Sequence, residues 1–386
     1  MRIKKSGIRK AGISVMSAIL ILSASVCTAL RISEMGIPVS IDTLAAETTM
    51  PSGIHNHQDI SSEIYEPKDN TLSSQISATP ENPDIPEAKN ETEKAEEKSS
   101  DSEPIFESSQ ADDNELKAYD KEHEGEEKFP VKEMTITRGD ISYQNIQVKN
   151  ASSFELDIKK ELDGNLGFKL EKTDQPQVLI YHTHTCESFL TYDTGYYYES
   201  FYPRSKDKSK NVCAVGEEIT KQLNNAGIKT IHDTTLHDDP SYSGAYYRST
   251  DTVEQYLKKY PSIKVVLDIH RDGIGTENQR SKPVFSANGK KAAQIMILAG
   301  YNYDNDESFK DWEYNLRFAL KLQEKAQQMY PDMTRPLYLG DFMYNMNINS
   351  GSLLIEIGSD SNTIEEVRYS GYLLGNVISE LLDPEQ

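Results

Sequence analysis

Between Val178 and Leu382, short apolar runs alternate with longer stretches in which apolar positions recur every three or four residues. VLIY at 178–181 has the length and character of a buried strand; a helical pattern over 209–226 follows, closed by Gly227, and then IKTIH at 228–232. A helix over 243–260 stops at Pro261, whose ring and missing N–H end it. VVLDI at 265–269, QIMILAG at 294–300 and LLIEI at 353–357 read as strands, with a long helix over 311–329. The last helix covers 363–382, and Asn362 and Glu365 have the spacing of a capping box at its start. Parallel strands need helical crossovers, so this alternation predicts an α/β domain with a mostly parallel central sheet flanked by helices. Residues 131–175 mix the two patterns and suggest a small leading hairpin or layer, part of a leading subdomain over 129–175.

Upstream the pattern changes twice. Arg2, Lys4, Lys5, Arg9 and Lys10 precede the uncharged, mostly apolar Ala11 to Leu30, long enough at about 1.5 Å per residue to cross a hydrocarbon layer of about 30 Å. The positive cluster predicts a cytoplasmic segment over 1–10 and a single transmembrane helix over 11–30, with the rest of the chain outside the cytoplasm, held at the cell membrane. A cleaved signal peptide, with small residues at Ser23 to Ser25, is the alternative. From 31 to 128 the sequence is polar, acidic and poor in aromatics, the composition of a disordered linker.

Charge follows the same division. The chain of 386 residues has a formal charge of −21, but residues 47–130 alone hold seven Lys/Arg against 23 acids, a net of −16. The acidity therefore belongs mainly to the linker, and no basic footprint for nucleic acid is present. Cys186 and Cys213 are the only cysteines beyond the apolar segment, too few for a disulfide framework.

Ligands in open α/β sheets collect at the carboxyl ends of strands. His182 and His184 close the first strand, His270 follows VVLDI, and Glu356 lies inside LLIEI. A catalytic zinc takes three protein ligands and leaves a fourth place for water. His184-x-x-Glu187 with the distant His270 supplies such a set, and Glu356 is the candidate to take a proton from water and return it to a leaving amine. Bland readings stand beside these. A histidine closing a strand is commonly a satisfied turn residue, and Glu187 fits the first turn of a helix. An acid inside LLIEI is harder to dismiss, because a buried carboxylate is costly unless paired. If the strand ends one or two residues earlier, His182 becomes the ligand and His184 stands behind it; the i+3 spacing to Glu187 favours His184. Asp268 shares the strand face of His270 and either orients it or pairs with a nearby Lys or Arg. Arg271 and Asp272 begin the loop after that strand, and Arg271 either grips a substrate carboxylate or developing oxyanion or is a solvated charge. The tyrosine-rich YDTGYYYESFY at 192–202 and YSGAYY at 242–247 could line a groove for glycan or peptide, or pack on the surface. Cys186 beside Glu187 reads as incidental.

The strings YHTHTCESF, VVLDIHRDG and LLIEIGSDSNTIEE, in that order, together resemble the stage II sporulation protein P family of endospore-forming Gram-positive bacteria. Its members are anchored, extracytoplasmic cell-wall hydrolases, similar in their catalytic domain to zinc-dependent N-acetylmuramoyl-L-alanine amidases. The resemblance covers roughly 175–386 and implies an amidase- or zinc-carboxypeptidase-like catalytic domain over 176–386. It implies zinc on His184, Glu187 and His270, with Glu356 as general base. It also implies a peptidoglycan substrate cut between muramic acid and L-alanine, with cleavage of peptide cross-links, and stage II sporulation proteins D and M as partners in forespore engulfment. Asn362 resembles the asparagine that follows the catalytic glutamate in the amidases. Two other readings remain: a zinc carboxypeptidase-like peptidase, and a non-catalytic wall-binding tether.

Overall fold

The computed structural model describes residues 112–276 and 278–383. The basic segment 1–10, the anchor 11–30 and the linker up to residue 111 lie outside the described residues. Among the described residues no helix is long and apolar enough to cross a membrane.

Two sheets organise the domain. The larger runs in the order β2 (Ile141–Tyr143), β3 (Ile146–Asn150), β12 (Leu337–Gly340), β11 (Ile295–Gly300), β13 (Ser352–Ser359), β7 (Val265–Asp272), β4 (Val178–Tyr181) and β6 (Thr230–His232). The smaller holds β10 (Lys290–Ala293), β9 (Gln279–Ala287), β1 (Lys128–Met134) and β5 (Tyr196–Tyr198), with β8 (Gly275–Thr276) on β9. The expected mostly parallel arrangement is corrected to a mixed one. β13 runs parallel to β7, β7 to β4 and β4 to β6, but β11 opposes β13, β2 opposes β3, and most pairs of the smaller sheet are antiparallel. The cause is local: the 341–351 connection carries no helix, so β13 returns antiparallel to β11.

The leading segment is not a separate layer. β2 and β3 form a hairpin that extends the larger sheet through β12, whereas β1 pairs with β5 and β9 in the smaller one. Residues Asp113–Glu122, expected as the end of the linker, form helix α1 behind an Asp112/Glu115 capping box. The helix buries no residue of its own. Tyr196 and Tyr198 hold it by donating hydrogen bonds to Asp120 Oδ1, at 2.6 and 2.5 Å.

The remaining helices are α2 (Ile158–Asp163), α3 (Val212–Asn225), α4 (Ala245–Lys259), α5 (Trp312–Met329) and α6 (Ile364–Leu381). Strand period two decides which helix each side chain meets. On β4, Val178 and Ile180 join the main core with α3 and α6, whereas Leu179 and Tyr181 pack with Val253 and Tyr256 of α4 and with Val266. Both faces of the sheet are therefore dry beneath the strand ends. The cap of α6 lies one residue later than the spacing suggested: Thr363 is the N-cap and Glu366 closes the box. Asn362 instead accepts from Ser359 N at 2.9 Å and donates to Glu366 Oε2 at 2.9 Å.

Candidate active site

Three neighbouring parallel strands, β4, β7 and β13, carry the site. The β7/β13 register places Glu356 opposite His270. His184 lies in the turn after β4, its ring perpendicular to that of His270 with centroids 5.3 Å apart. Glu187 is not in a helix. It closes a turn through its N–H to His184 O at 3.0 Å and bridges to Arg204 in extended pairing, so turn geometry supplies the i+3 reach to His184. Glu187 Oε2 lies 3.5 Å from His270 Nδ1 and accepts from the Arg271 N–H at 3.1 Å. On the other side of the ring, Asp268 Oδ1 is 2.9 Å from His270 Nε2, an ion-pair distance without hydrogen-bond alignment. Asp268 also accepts from Thr183 N at 2.8 Å and Thr183 Oγ1 at 2.7 Å.

The two strand-end histidines part ways. His182 is fully buried; its Nδ1 donates to Ile269 O at 2.8 Å, leaving Nε2 to accept from His232 Nε2 at 2.9 Å. Burial and then His232 push it down to about 3. Burial likewise pushes His184 down to about 4, so it is neutral at pH 7, and its Nδ1 is buried without a hydrogen-bond partner. For Glu187, burial alone would raise the carboxyl, but Arg271 and then His270 outweigh it and hold it well below the usual range. For His270, burial opposes the charge, yet Asp268 and Glu187 prevail and raise it well above an ordinary histidine. Burial, followed by the charge of Asp272, raises Glu356 well above an ordinary carboxyl.

Arg271 and Asp272 are strand residues rather than loop residues, because β13 continues the ladder to a Ser359–Asp272 pair. The Arg271 guanidinium is buried and donates to Pro203 O at 2.9 Å and Asp272 O at 3.3 Å, so it is no solvated charge. Asp272 takes Arg335 at 2.7 Å. Arg335 had no sequence signal, since it stands in no motif and reaches the site only through tertiary packing. The tyrosines had a weak one. Tyr242 stacks on His184 at 4.1 Å and 9°, and Tyr246 meets the same ring edge-on at 5.5 Å. Both belong to the YSGAYY cluster, whereas the 192–202 cluster mainly builds β5. Cys186 N donates to Asp238, which pairs with Arg204, and burial pushes the Cys186 thiol up to about 12.

Buried polar atoms without a hydrogen-bond partner are rare in folded proteins. Among the described residues they include His184 Nδ1, Glu356 Oε2, Arg271 Nε, Arg335 Nε, Asp360 Oδ1 and the Tyr246 hydroxyl, as well as Glu161 Oε1 and Gln323 Oε1 away from the strand ends; His270 Nε2 lacks a hydrogen bond but faces Asp268. Two imidazoles and a carboxylate, with the His184 Nδ1 unpartnered, form a donor set that suits zinc. A second group, Glu133, Asp193 and Glu366, brings carboxylate oxygens within 4.8 Å of one another. Lys282 Nζ stands among them at 3.2, 2.7 and 2.7 Å and already supplies the positive charge.

The stage II sporulation protein P of Bacillus subtilis (strain 168) is 26% identical over 219 residues, 54% of this chain and 51% of that protein, so the chain spans about half the length of the curated relative it matches. Among solved structures, the apo N-acetylmuramyl-L-alanine amidase Ami1 of Mycobacterium abscessus covers 53% of this chain and 98% of its own, at 15% identity and a TM-score of 0.30. A metallo-carboxypeptidase of Burkholderia cenocepacia covers 57% and 60%, at 11% identity and a TM-score of 0.31. Both overlaps are too loose to carry a residue assignment. The family model described as stage II sporulation protein P matches residues 60–379, which take in every residue of the site above. With the match extending over most of its length, the chain belongs to the stage II sporulation protein P family.

Proposed function

We propose that the chain is a membrane-anchored, extracytoplasmic peptidoglycan hydrolase that cuts the amide between the muramic acid lactyl group and L-alanine during sporulation. Family membership supports the substrate class. The observation that carries the chemistry is the convergence of His184, Glu187 and His270 at the carboxyl ends of β4 and β7, with Glu356, whose Oε2 has no hydrogen-bond partner, opposite His270. His184, Glu187 and His270 would hold zinc, and a zinc ion there would polarise the scissile carbonyl and make an adjacent water more acidic. His184 is preferred over His182 because both ring nitrogens of His182 are engaged within the fold.

A cation held by His184, Glu187 and His270 would favour the ionised form of Glu356, and that carboxylate takes the proton from the attacking water as the water oxygen adds to the lactyl carbonyl carbon. It returns that proton to the alanine nitrogen as the C–N bond breaks, leaving a lactyl carboxylate and a free amine. Asp268 orients His270, and Arg271 keeps Glu187 ionised. Cross-link cleavage, and stage II sporulation proteins D and M as partners in engulfment, belong to the same proposal by family resemblance.

The test is to incubate the protein with purified peptidoglycan, with and without zinc, and identify the released material by mass spectrometry. Zinc-dependent stem peptides with free L-alanine amines, lost in Glu356→Ala, are expected. Products cut only within the stem peptide would favour the carboxypeptidase-like reading, and wall binding without cleavage would favour a tether.

A further inference from the structure

Tyr246 has a buried hydroxyl with no hydrogen-bond partner, and no step above uses it. Buried tyrosine hydroxyls normally find a partner, and leaving one unmade is destabilising. The residue is not loosely placed. It sits in the first turn of α4, with its ring edge-on to His184 at 5.5 Å and 86° and lying on Tyr344 at 5.4 Å and 23°. The same turn is tied to the site. Ser249 Oγ lies 2.8 Å from Thr183 Oγ1, which donates to Asp268, and Asn345 Nδ2 donates to Ser249 Oγ at 3.1 Å and to Tyr246 O at 3.4 Å. A tyrosine hydroxyl, with an ordinary pKa of about 10, is a neutral donor at pH 7. The nearby cations are already committed: Arg271 to Pro203 and Asp272, and Arg335 to Asp272.

A fixed, neutral, unpartnered donor beside His184 wants an acceptor that arrives with the substrate. We propose that the Tyr246 hydroxyl donates a hydrogen bond to the scissile carbonyl oxygen and strengthens it as that oxygen gains negative charge, which makes Tyr246 a catalytic residue. The inference rests on the hydrolase reading above. Removing one such donor costs on the order of 10²-fold in kcat.

The test compares wild type, Glu356→Ala and Tyr246→Phe on peptidoglycan, with melting curves for each. Tyr246→Phe keeps both ring contacts and removes an unpartnered polar atom. Its kcat is expected to fall about 10²-fold with KM little changed and Tm equal or higher. A purely structural tyrosine would instead lower Tm and leave kcat intact. A phosphonate analogue of the lactyl–alanine bond gives a readout without turnover, and its affinity is expected to fall about 10²-fold in Tyr246→Phe. Equal kcat in Tyr246→Phe and wild type, or a phosphonate affinity that is equal or absent in both, overturns the proposal. If wild type cleaves nothing, or Glu356→Ala cleaves as well as wild type, the hydrolase reading fails and this inference with it. If only Tyr246→Phe is indistinguishable from wild type, the tyrosine assignment alone is wrong.

Discussion

Asp268→Asn tests the support beneath the site. Asp268 is buried, accepts two hydrogen bonds from Thr183, and lies 2.9 Å from His270 Nε2. Asparagine keeps the shape and one acceptor but loses the charge and turns an N–H₂ towards groups that themselves donate. Hydrogen bonds to a charged acceptor contribute about 1.5–3 kcal/mol each, and breaking a buried ion pair from one side costs about 3–5 kcal/mol. With one acceptor retained, a loss of about 3 kcal/mol at neutral pH is expected, or roughly 6–12 °C in Tm for a domain of this size. The pH dependence has a definite sign. Burial would raise Asp268, but His270 and Thr183 hold it below the usual range. Its contribution is therefore present above about pH 3.9 and lost as pH falls through the depressed folded value. The raised His270 contributes below about pH 6.5 and loses that contribution as pH rises through its folded value. The deficit of Asp268→Asn should therefore be large at pH 5–6, persist through neutrality, and shrink below about pH 4. Thermal unfolding in chelator can be followed by the fluorescence of Trp312, the chain's one tryptophan, which is buried in the core. An unchanged Tm at pH 7, or a deficit that stays the same at pH 3, would refute this account of Asp268.

Glu356→Gln should lower hydrolysis by about 10²–10⁴-fold. Because the folded carboxyl is raised, its stabilising protonated form is present below about pH 4.3 and lost as pH rises, so the glutamine variant should melt higher than wild type at pH 8 and like it at pH 4; a lower Tm at pH 8 would contradict that. His182→Ala should cost about 2–4 kcal/mol yet leave zinc content intact, whereas His184→Ala should lose zinc with little loss of stability; elemental analysis after gel filtration distinguishes this from the reverse assignment. Gly216 lets α3 approach His182 and His232, for a Cβ there would lie 2.6 Å from His232 Nε2 and 2.9 Å from His182. Gly216→Ala should therefore cost about 1–3 kcal/mol in urea unfolding, and a neutral result would mean the pair can shift.

The strands that carry the site were legible because burial on both faces leaves continuous apolar runs, and the chemistry stood out as polar residues at their ends. Glu356 is the clearest case, a lone acid in LLIEI whose buried setting the structure bears out. The smaller sheet was not legible. β9 reads QRSKPVFSA and buries Lys282 against three carboxylates, so no apolar periodicity marks it. Helix α1 was hidden because it buries nothing, and its composition is that of the linker before it. The antiparallel turn of β13 against β11 depends on the absence of a helix in 341–351, whereas the alternation of patterns favoured crossovers throughout. Arg335 reaches the site from an element distant in sequence, so only packing reveals it, whereas Tyr242 and Tyr246 had only the weak signal of a tyrosine-rich cluster.

The central claim is that His184, Glu187 and His270 bind zinc while Glu356 stays off the metal. Anomalous diffraction at the zinc edge, from a crystal grown with equimolar zinc, tests it directly. The account predicts one strong peak about 2.0–2.2 Å from a nitrogen of His184, a nitrogen of His270 and an oxygen of Glu187. A peak among Glu133, Asp193 and Glu366, a peak bound by His182 or Glu356, or no ordered zinc at the strand ends would contradict it.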